Sequence, residues 1–218
     1  VNINKIAVIR NSRGGNLPDV IEAARKIESF GAEGITVHPR PDERHIRYSD
    51  VRELKKVVAT EFNIEGNPID SFTELVMDVV PDQVTLVPDA HNAITSNAGW
   101  DTIKHRAFLL ERAEEFHKKG IRVSIFVDPS VDMVRGAAEC GCDRIELYTE
   151  SFALGYAADR EAAVAGYVAA AEEARRLGLG INAGHDLNLV NTRYFLTCIP
   201  FAAEVSIGHA LISDALYY

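Results

Sequence analysis

Short β-branched runs alternate along the whole chain with longer stretches whose apolar residues recur at helical spacing. VNINKIAVI is the first strand-like run, and PDVIEAARKIESFG the first helical stretch. In the latter, Pro18 suits a first helical position and Gly31 a C-terminal stop. GITVH follows, then SDVRELKKVVATE, with Ser49 as its expected N-cap. FNIEG leads to IDSFTELVMDVV. QVTLVPD leads, through a long polar connection, to TIKHRAFLLERAEEFHKKG. RVSIFVD precedes SVDMVRGAAECG, and RIELYTE precedes a loop and EAAVAGYVAAAEEARRLG. GINAGHD precedes a short helix around NTRYFLTCI, and EVSIGHA closes the series before LISDALYY.

This makes eight strand–helix units with no linker or low-complexity tract between them. Strict alternation predicts a parallel sheet covered by helices. Eight units predict a single (β/α)8 TIM barrel over residues 1–218. A doubly wound open sheet is the alternative, but its opening glycine fingerprint is absent. The last helical stretch is short for a full barrel and the chain starts at Val1, so both ends are expected to be incomplete.

Composition narrows the function. A hydrophobic content of 47% in 218 residues supports a sizeable core. The formal charge of −9 argues against non-specific binding to nucleic acid or an anionic membrane, but leaves room for a local basic pocket. No apolar run spans a bilayer and no secretory signal opens the chain. Three cysteines without zinc spacing fit a reducing cytoplasm.

In a parallel barrel the C-terminal strand ends share one face, and that face carries the chemistry. The second to eighth strand-like runs end at His38, Glu65, Asp89, Asp128, Glu146, His185 and His209. The first supplies Asn2, Asn4 and Lys5. A lone residue of this kind often only caps a helix, and Asp128 in VDPS also reads as a helix-start turn. Together, histidines and carboxylates in one partly desolvated cup suit acid–base catalysis. Gly184 and Gly208 would let backbone N–H groups approach a phosphate. Arg10, Arg13, Arg40 and Arg44 could hold a second one. The competing reading makes the glycines tight turns and pairs the arginines with acids such as Asp42 and Glu43. No HExxH occurs, and two prolines separate His38 from His45, so no metal is expected. Lys5 as a Schiff-base lysine competes with the simpler reading of an exposed lysine.

The segments VNIN…RNSRGG, GITVHPRPDERHI, FNIEG, LVPD…ITSNAGWD, RIELYTE, INAGHDL and SIGHALI, in this order, resemble the pyridoxine 5′-phosphate synthase family of vitamin B6 biosynthesis. They run from Val1 to Ile212, and HPRPDERHI and NAGH are the specific ones. The resemblance implies a cofactor-free and metal-free barrel of the transferase class that assembles as an octamer. It implies condensation of 1-deoxy-D-xylulose 5-phosphate with 3-amino-2-oxopropyl phosphate to pyridoxine 5′-phosphate, phosphate and water. It casts His38 and Glu65 as proton acceptors, His185 as proton donor, and Glu146 as the group that stabilises cationic intermediates. It casts Arg13, Arg40, His45 and Thr95 as holding the deoxyxylulose phosphate. Asn2, Gly208 and His209 fall at contacts to the amino-ketone phosphate. NAITSNAGWD matches a loop that closes over the substrates.

Three places depart from the family pattern. Asn4-Lys5 stands where Asp-His is common, Asp186 where Gly is common, and Ser213-Asp214 where Gly-Arg is frequent. Asn4, Lys5 and the backbone N–H of Asp186 remain candidate substrate contacts. A sugar-phosphate isomerase or aldolase on the same barrel, or a non-catalytic phosphate-metabolite binder, are the alternatives.

Overall fold

The structure, a computed structural model, describes residues 1–88 and 98–217. Seven parallel strands form one sheet in sequence order. They are β1 (Gly34–Val37), β2 (Glu61–Gly66), β3 (Gln83–Leu86), β4 (Arg122–Val127), β5 (Arg144–Tyr148), β6 (Gly180–Gly184) and β7 (Glu204–Ser206). Before β1 lie α1 (Asn4–Asn11) and α2 (Val20–Ser29). The strands then alternate with α3 (Tyr48–Lys55), α4 (Asp70–Val79), α5 (Arg106–His117), α6 (Val131–Glu139), α7 (Glu150–Arg176), α8 (Thr192–Cys198) and α9 (His209–Asp214).

Residues 1–3 close the sheet. The Thr36 N–H donates to the Val1 carbonyl at 2.9 Å, and the Ile3 N–H to the Thr36 carbonyl at 3.1 Å. On the other side the Asn2 N–H donates to the Ile207 carbonyl at 3.0 Å. The segment thus fills the gap between β1 and β7, and the fold is the expected (β/α)8 barrel with its first stave cut to a single parallel bridge, Asn2 to Thr36.

That shortened stave corrects the expectation for VNINKIAVI, which becomes helical at Asn4. Ile3, Ala7 and Arg10 are buried, a helical spacing, while Val8 and Ile9 face solvent despite their strand propensity. Ser49 lies inside α3 rather than capping it. Arg47 is the N-cap, and its N–H donates to the Asp50 carboxylate at 2.8 Å. Pro18 stands before the true N-cap of α2, Asp19, whose side chain accepts the N–H groups of Ile21 and Glu22. The loop expected after RIELYTE is helix. α7 starts at Glu150 and breaks only at Asp159, whose carboxylate accepts the N–H groups of Glu161 and Ala162 and restarts it.

The strands alternate strictly. Ile35, Val37, Ile64, Val84, Ile125 and Leu147 face outward and are completely buried beneath the helices. Each such side chain contributes roughly 1.5–3 kcal/mol by leaving water. The inward positions are mostly polar, with Phe126 an apolar exception beside His185. Register aligns Thr36 with Asn63, Glu65 with Thr85, Glu146 with Asn182, and Asn182 with Glu204. Barrel interiors are usually packed with branched apolar residues, so this lining is unusual.

The base of the barrel, at the N-terminal strand ends, is a closed charge network. Arg122 donates to Glu61 and, at 2.9 Å, to Gln83. Arg144 donates to Glu204 at 3.0 Å and to Asn182 at 3.2 Å. Asn182 and Gln83 donate to the same Glu204 oxygen at 3.0 and 3.4 Å. Above it, the Thr85 hydroxyl donates to Asn63, whose amide donates to Thr36. Among the described residues, no helix is long and apolar enough to cross a membrane.

Candidate active site

At the opposite end the barrel opens into a cavity of about 390 Å³. Residues 1–5 contribute Asn2, Asn4 and Lys5, and the loop after β1 contributes His38, Arg40 and His45. Glu65 comes from β2. His185 and Asp186 follow β6, and Gly208 and His209 follow β7. Residues expected at separate strand ends thus meet in one space.

The first wall is built around His38. Its backbone N–H donates to the Asn4 side-chain oxygen at 2.9 Å. The Asn4 N–H in turn donates to the Asn2 side chain at 3.0 Å, and the Asn2 amide reaches Glu65 at 3.5 Å. An amide oxygen at position 4 therefore keeps the acceptor that an aspartate would offer, and loses only its charge. Burial, then the charges of Arg40, His45 and His185, hold the His38 imidazole well below its usual pKa. It is a neutral imidazole near pH 7, the form that accepts a proton.

His45 packs edge-on to His38 with ring centroids 6.2 Å apart. Its Nδ1 accepts the Ile46 N–H at 2.9 Å, which puts the proton of the neutral ring on Nε2. Burial and Arg40 push it down to about 4. Arg10 holds this loop from behind. It is completely buried, forks onto the Asp50 carboxylate at 2.7 and 2.8 Å, and donates to the His45 carbonyl at 2.9 Å. Its candidacy for phosphate is therefore corrected: both faces of its guanidinium serve the fold. Arg44 pairs with Asp42 at 3.2 Å, and Glu43 accepts the Tyr48 N–H at the start of α3.

Glu65 and Glu146 form the floor. Glu146 lies just beneath the cavity lining and is 1% exposed. Its Oε1 has no hydrogen-bond partner among the described residues. Burial, then the charges of Glu65 and Glu204, raise its pKa well above its usual value, which favours the neutral acid. Gly184 makes this packing possible, because a Cβ there would meet Glu146 Oε1 at 2.5 Å. Gly208 has the same role beside the Asn2 carbonyl, also 2.5 Å from a notional Cβ. Both glycines thus serve close approach of neighbouring chain.

The far wall holds His185, at a left-handed φ of 87°. Its ring packs 4.8 Å from Phe126 and 5.6 Å from Tyr148. Burial pushes it down to about 4, against the Glu150 charge and the Gly184 carbonyl, although Nδ1 makes no hydrogen bond of regular geometry among the described residues. Asp186 is raised by burial and by Glu150, with His209 opposing.

Two expected positions fall elsewhere. Arg13 is exposed in the turn after α1 and outside the cavity lining. Asp128 is exposed and accepts the Gly99 N–H at 3.3 Å. Thr95 and Asp89 lie outside the described residues. Tyr148, Glu150 and Ser206 line the cavity and were missed. The strand period of two was the available signal, since Tyr148 follows Glu146 by two residues and Ser206 precedes Gly208 by two. Among the described residues, no group of three or more His, Cys, Asp and Glu side chains is placed to hold a metal ion.

The whole chain, residues 1–218, matches the family model described as "Pyridoxal phosphate biosynthesis protein PdxJ". A protein named pyridoxine 5′-phosphate synthase from Cytophaga hutchinsonii is 65% identical over 218 residues, covering all of this chain and 92% of that relative. One of the same name from Christiangramia forsetii is 66% identical over 217 residues, covering 100% of this chain and 92% of the relative. Another, from Porphyromonas gingivalis, is 60% identical over 217 residues, covering 100% of this chain and 91% of that protein.

Proposed function

The chain belongs to the PdxJ family of pyridoxal phosphate biosynthesis proteins, and on that footing we propose that it is a pyridoxine 5′-phosphate synthase. In this reading it condenses 1-deoxy-D-xylulose 5-phosphate with 3-amino-2-oxopropyl phosphate, releasing phosphate and water. The observation that carries the proposal is the meeting of His38, Glu65 and His185 in one cavity with the cationic Lys5 and Arg40.

The substrate brings its own amine, so imine formation needs no enzyme lysine. What the chain supplies is proton transfer. Neutral His38 and Glu65 accept protons during imine formation and ring closure, and His185 donates to the leaving oxygen. Burial favours the neutral form of Glu146, which lies within the field of Glu65. When positive charge develops on the substrate above it, ionisation of Glu146 becomes favourable and offsets that charge. Arg40 and His45 hold the deoxyxylulose phosphate, with Arg13 and Thr95 joining them in the closed complex. Asn2, Asn4, Lys5, Gly208, His209 and the Asp186 N–H hold the rest of the two substrates. We also infer action in the cytoplasm, which suits three free cysteines, as an oligomer of the family's octameric kind, without metal or organic cofactor.

The test is to mix purified protein with both phosphorylated substrates and follow product absorbance and released phosphate. Both signals, each dependent on the amino-ketone, are expected. Turnover of a single phosphorylated sugar without amine would make the protein an isomerase or aldolase. Ligand binding with no product would make it a metabolite binder.

A further inference from the structure

A proton donor must carry its proton, yet burial drives the His185 imidazole towards the neutral form. Its backbone also sits where a side chain is disfavoured, at φ 87°. The structure has to supply something that holds the residue in this state, and one short segment does so.

That segment is Tyr148-Thr149-Glu150, where β5 becomes α7. Thr149 is completely buried. Both its hydroxyl and its N–H donate to the carbonyl of Gly184, the residue immediately before His185. This double hold fixes the peptide plane that leads into the left-handed residue. Tyr148 stands at 89° to the His185 ring. Its hydroxyl donates to Glu150 at 2.7 Å, tethering a carboxylate that would otherwise swing freely at the cavity lip. The segment is itself anchored. The Tyr167 hydroxyl, on α7 beyond its break, donates to the Tyr148 carbonyl at 2.7 Å and contacts the Ser151 hydroxyl at 2.7 Å.

We propose that Tyr148, Thr149 and Glu150 are positioning residues for His185: Thr149 fixes its backbone, Tyr148 walls its ring, and the tethered Glu150 carboxylate supplies negative charge beside it. The inference rests on the donor role given to His185 above. Other charged and titratable groups face the same ring. His38 stands across the cavity, and Asp186 adjoins it in sequence with His209 beyond. Glu150 is the side chain whose charge opposes the effect of burial on His185.

The experiment combines a nitrogen-15 NMR titration of His185 with pH–rate profiles for Glu150→Gln, Tyr148→Phe, Thr149→Val and Thr149→Ser. Removing the exposed Glu150 charge should lower the His185 midpoint by about half a pH unit. An acid working above its pKa then loses about threefold in kcat at neutral pH, with KM nearly unchanged. Tyr148→Phe should give a smaller shift of the same sign. Thr149→Val should change the His185 chemical shift and lower kcat, and Thr149→Ser should restore both. An unmoved His185 midpoint in Glu150→Gln overturns the proposal even if Thr149→Val fails to fold. The titration needs no turnover. Absence of synthase activity in the wild-type protein therefore counts against the enzymatic reading, while the midpoints still decide this one.

Discussion

The two ends of the barrel are built from similar side chains and put them to opposite use. At the base, Arg122 and Arg144 face Glu61 and Glu204, amides from Gln83 and Asn182 join them, and the one Glu61 oxygen without a hydrogen bond still lies 3.9 Å from the Arg144 guanidinium. At the mouth, Glu146 and His185 each keep a buried polar atom without a hydrogen-bond partner among the described residues. Charged residues inside a barrel therefore do not by themselves mark a site. What distinguishes the mouth is that its unsatisfied groups border a cavity, where they retain capacity for a ligand.

The largest effect should come from the mouth. Glu65→Gln keeps the shape and the Asn2 contact and removes the base. Turnover should fall about 10²–10⁴-fold, while calorimetry shows substrate affinity within a few-fold. Near-normal turnover would remove Glu65 from its role.

At the base the corresponding change costs stability. Arg144→Met leaves Glu204 buried without its cation, so urea unfolding should show a loss of about 2–3 kcal/mol, reduced from a fully buried pair because Arg144 is partly exposed. A protein unchanged in midpoint would mean that the network is held by its amides alone.

Glu204 at the base and the histidines at the mouth answer pH in opposite directions. Burial and the Glu61 charge raise Glu204 to about 7, from an ordinary 4.5. The folded state then binds the proton more tightly. The stability this supplies is fully present below pH 4.5 and is lost as pH rises towards 7. His45 and His185, pushed down from 6.5 to about 4, bind protons more weakly in the fold and make stability rise across that range. Glu204→Gln should therefore leave the histidine slope exposed. Urea midpoints of the variant relative to wild type should climb between pH 4.5 and 7, and a constant difference would contradict the shift of Glu204.

The smallest effect tests the Asn4 departure. Asn4→Asp keeps the acceptor for the His38 N–H and adds a negative charge. The His38 pKa should rise by about half to one unit, moving the acid limb of kcat/KM to higher pH. A limb that stays in place belongs to another group.

Much of this could be read in the sequence. Strand–helix alternation carried the architecture because a parallel barrel needs a crossover after every strand. Strand ends carried His38, Glu65, His185 and His209 to one cavity because all strands point one way. The failures were tertiary. β-branched residues in IAVI suggested a strand, but burial of Ile3, Ala7 and Arg10 on one side made it a helix. Arg10 looked like a phosphate ligand because nothing local reveals Asp50, 40 residues away in the chain. Glu150, the last residue of RIELYTE, was passed over because the strand end was read at Glu146. The polar interior was legible, since EFNIEG and RIELY alternate, but a buried parallel strand ordinarily reads as continuously apolar, as the end of RVSIFV does.

Residues 1–3 act as the clasp of the barrel, and the clasp carries a side chain of the cavity lining. Asn2 is bridged to Thr36 of β1 through the hydrogen bonds of Val1 and Ile3, its own N–H donates to Ile207 after β7, and its side chain lines the cavity. A substrate that engages Asn2 therefore fastens the ring as it binds. Occupancy should slow amide exchange at Ile3 and Thr36, whose N–H groups make the seam. The cavity at the mouth and the mechanical integrity of the barrel meet in one three-residue latch.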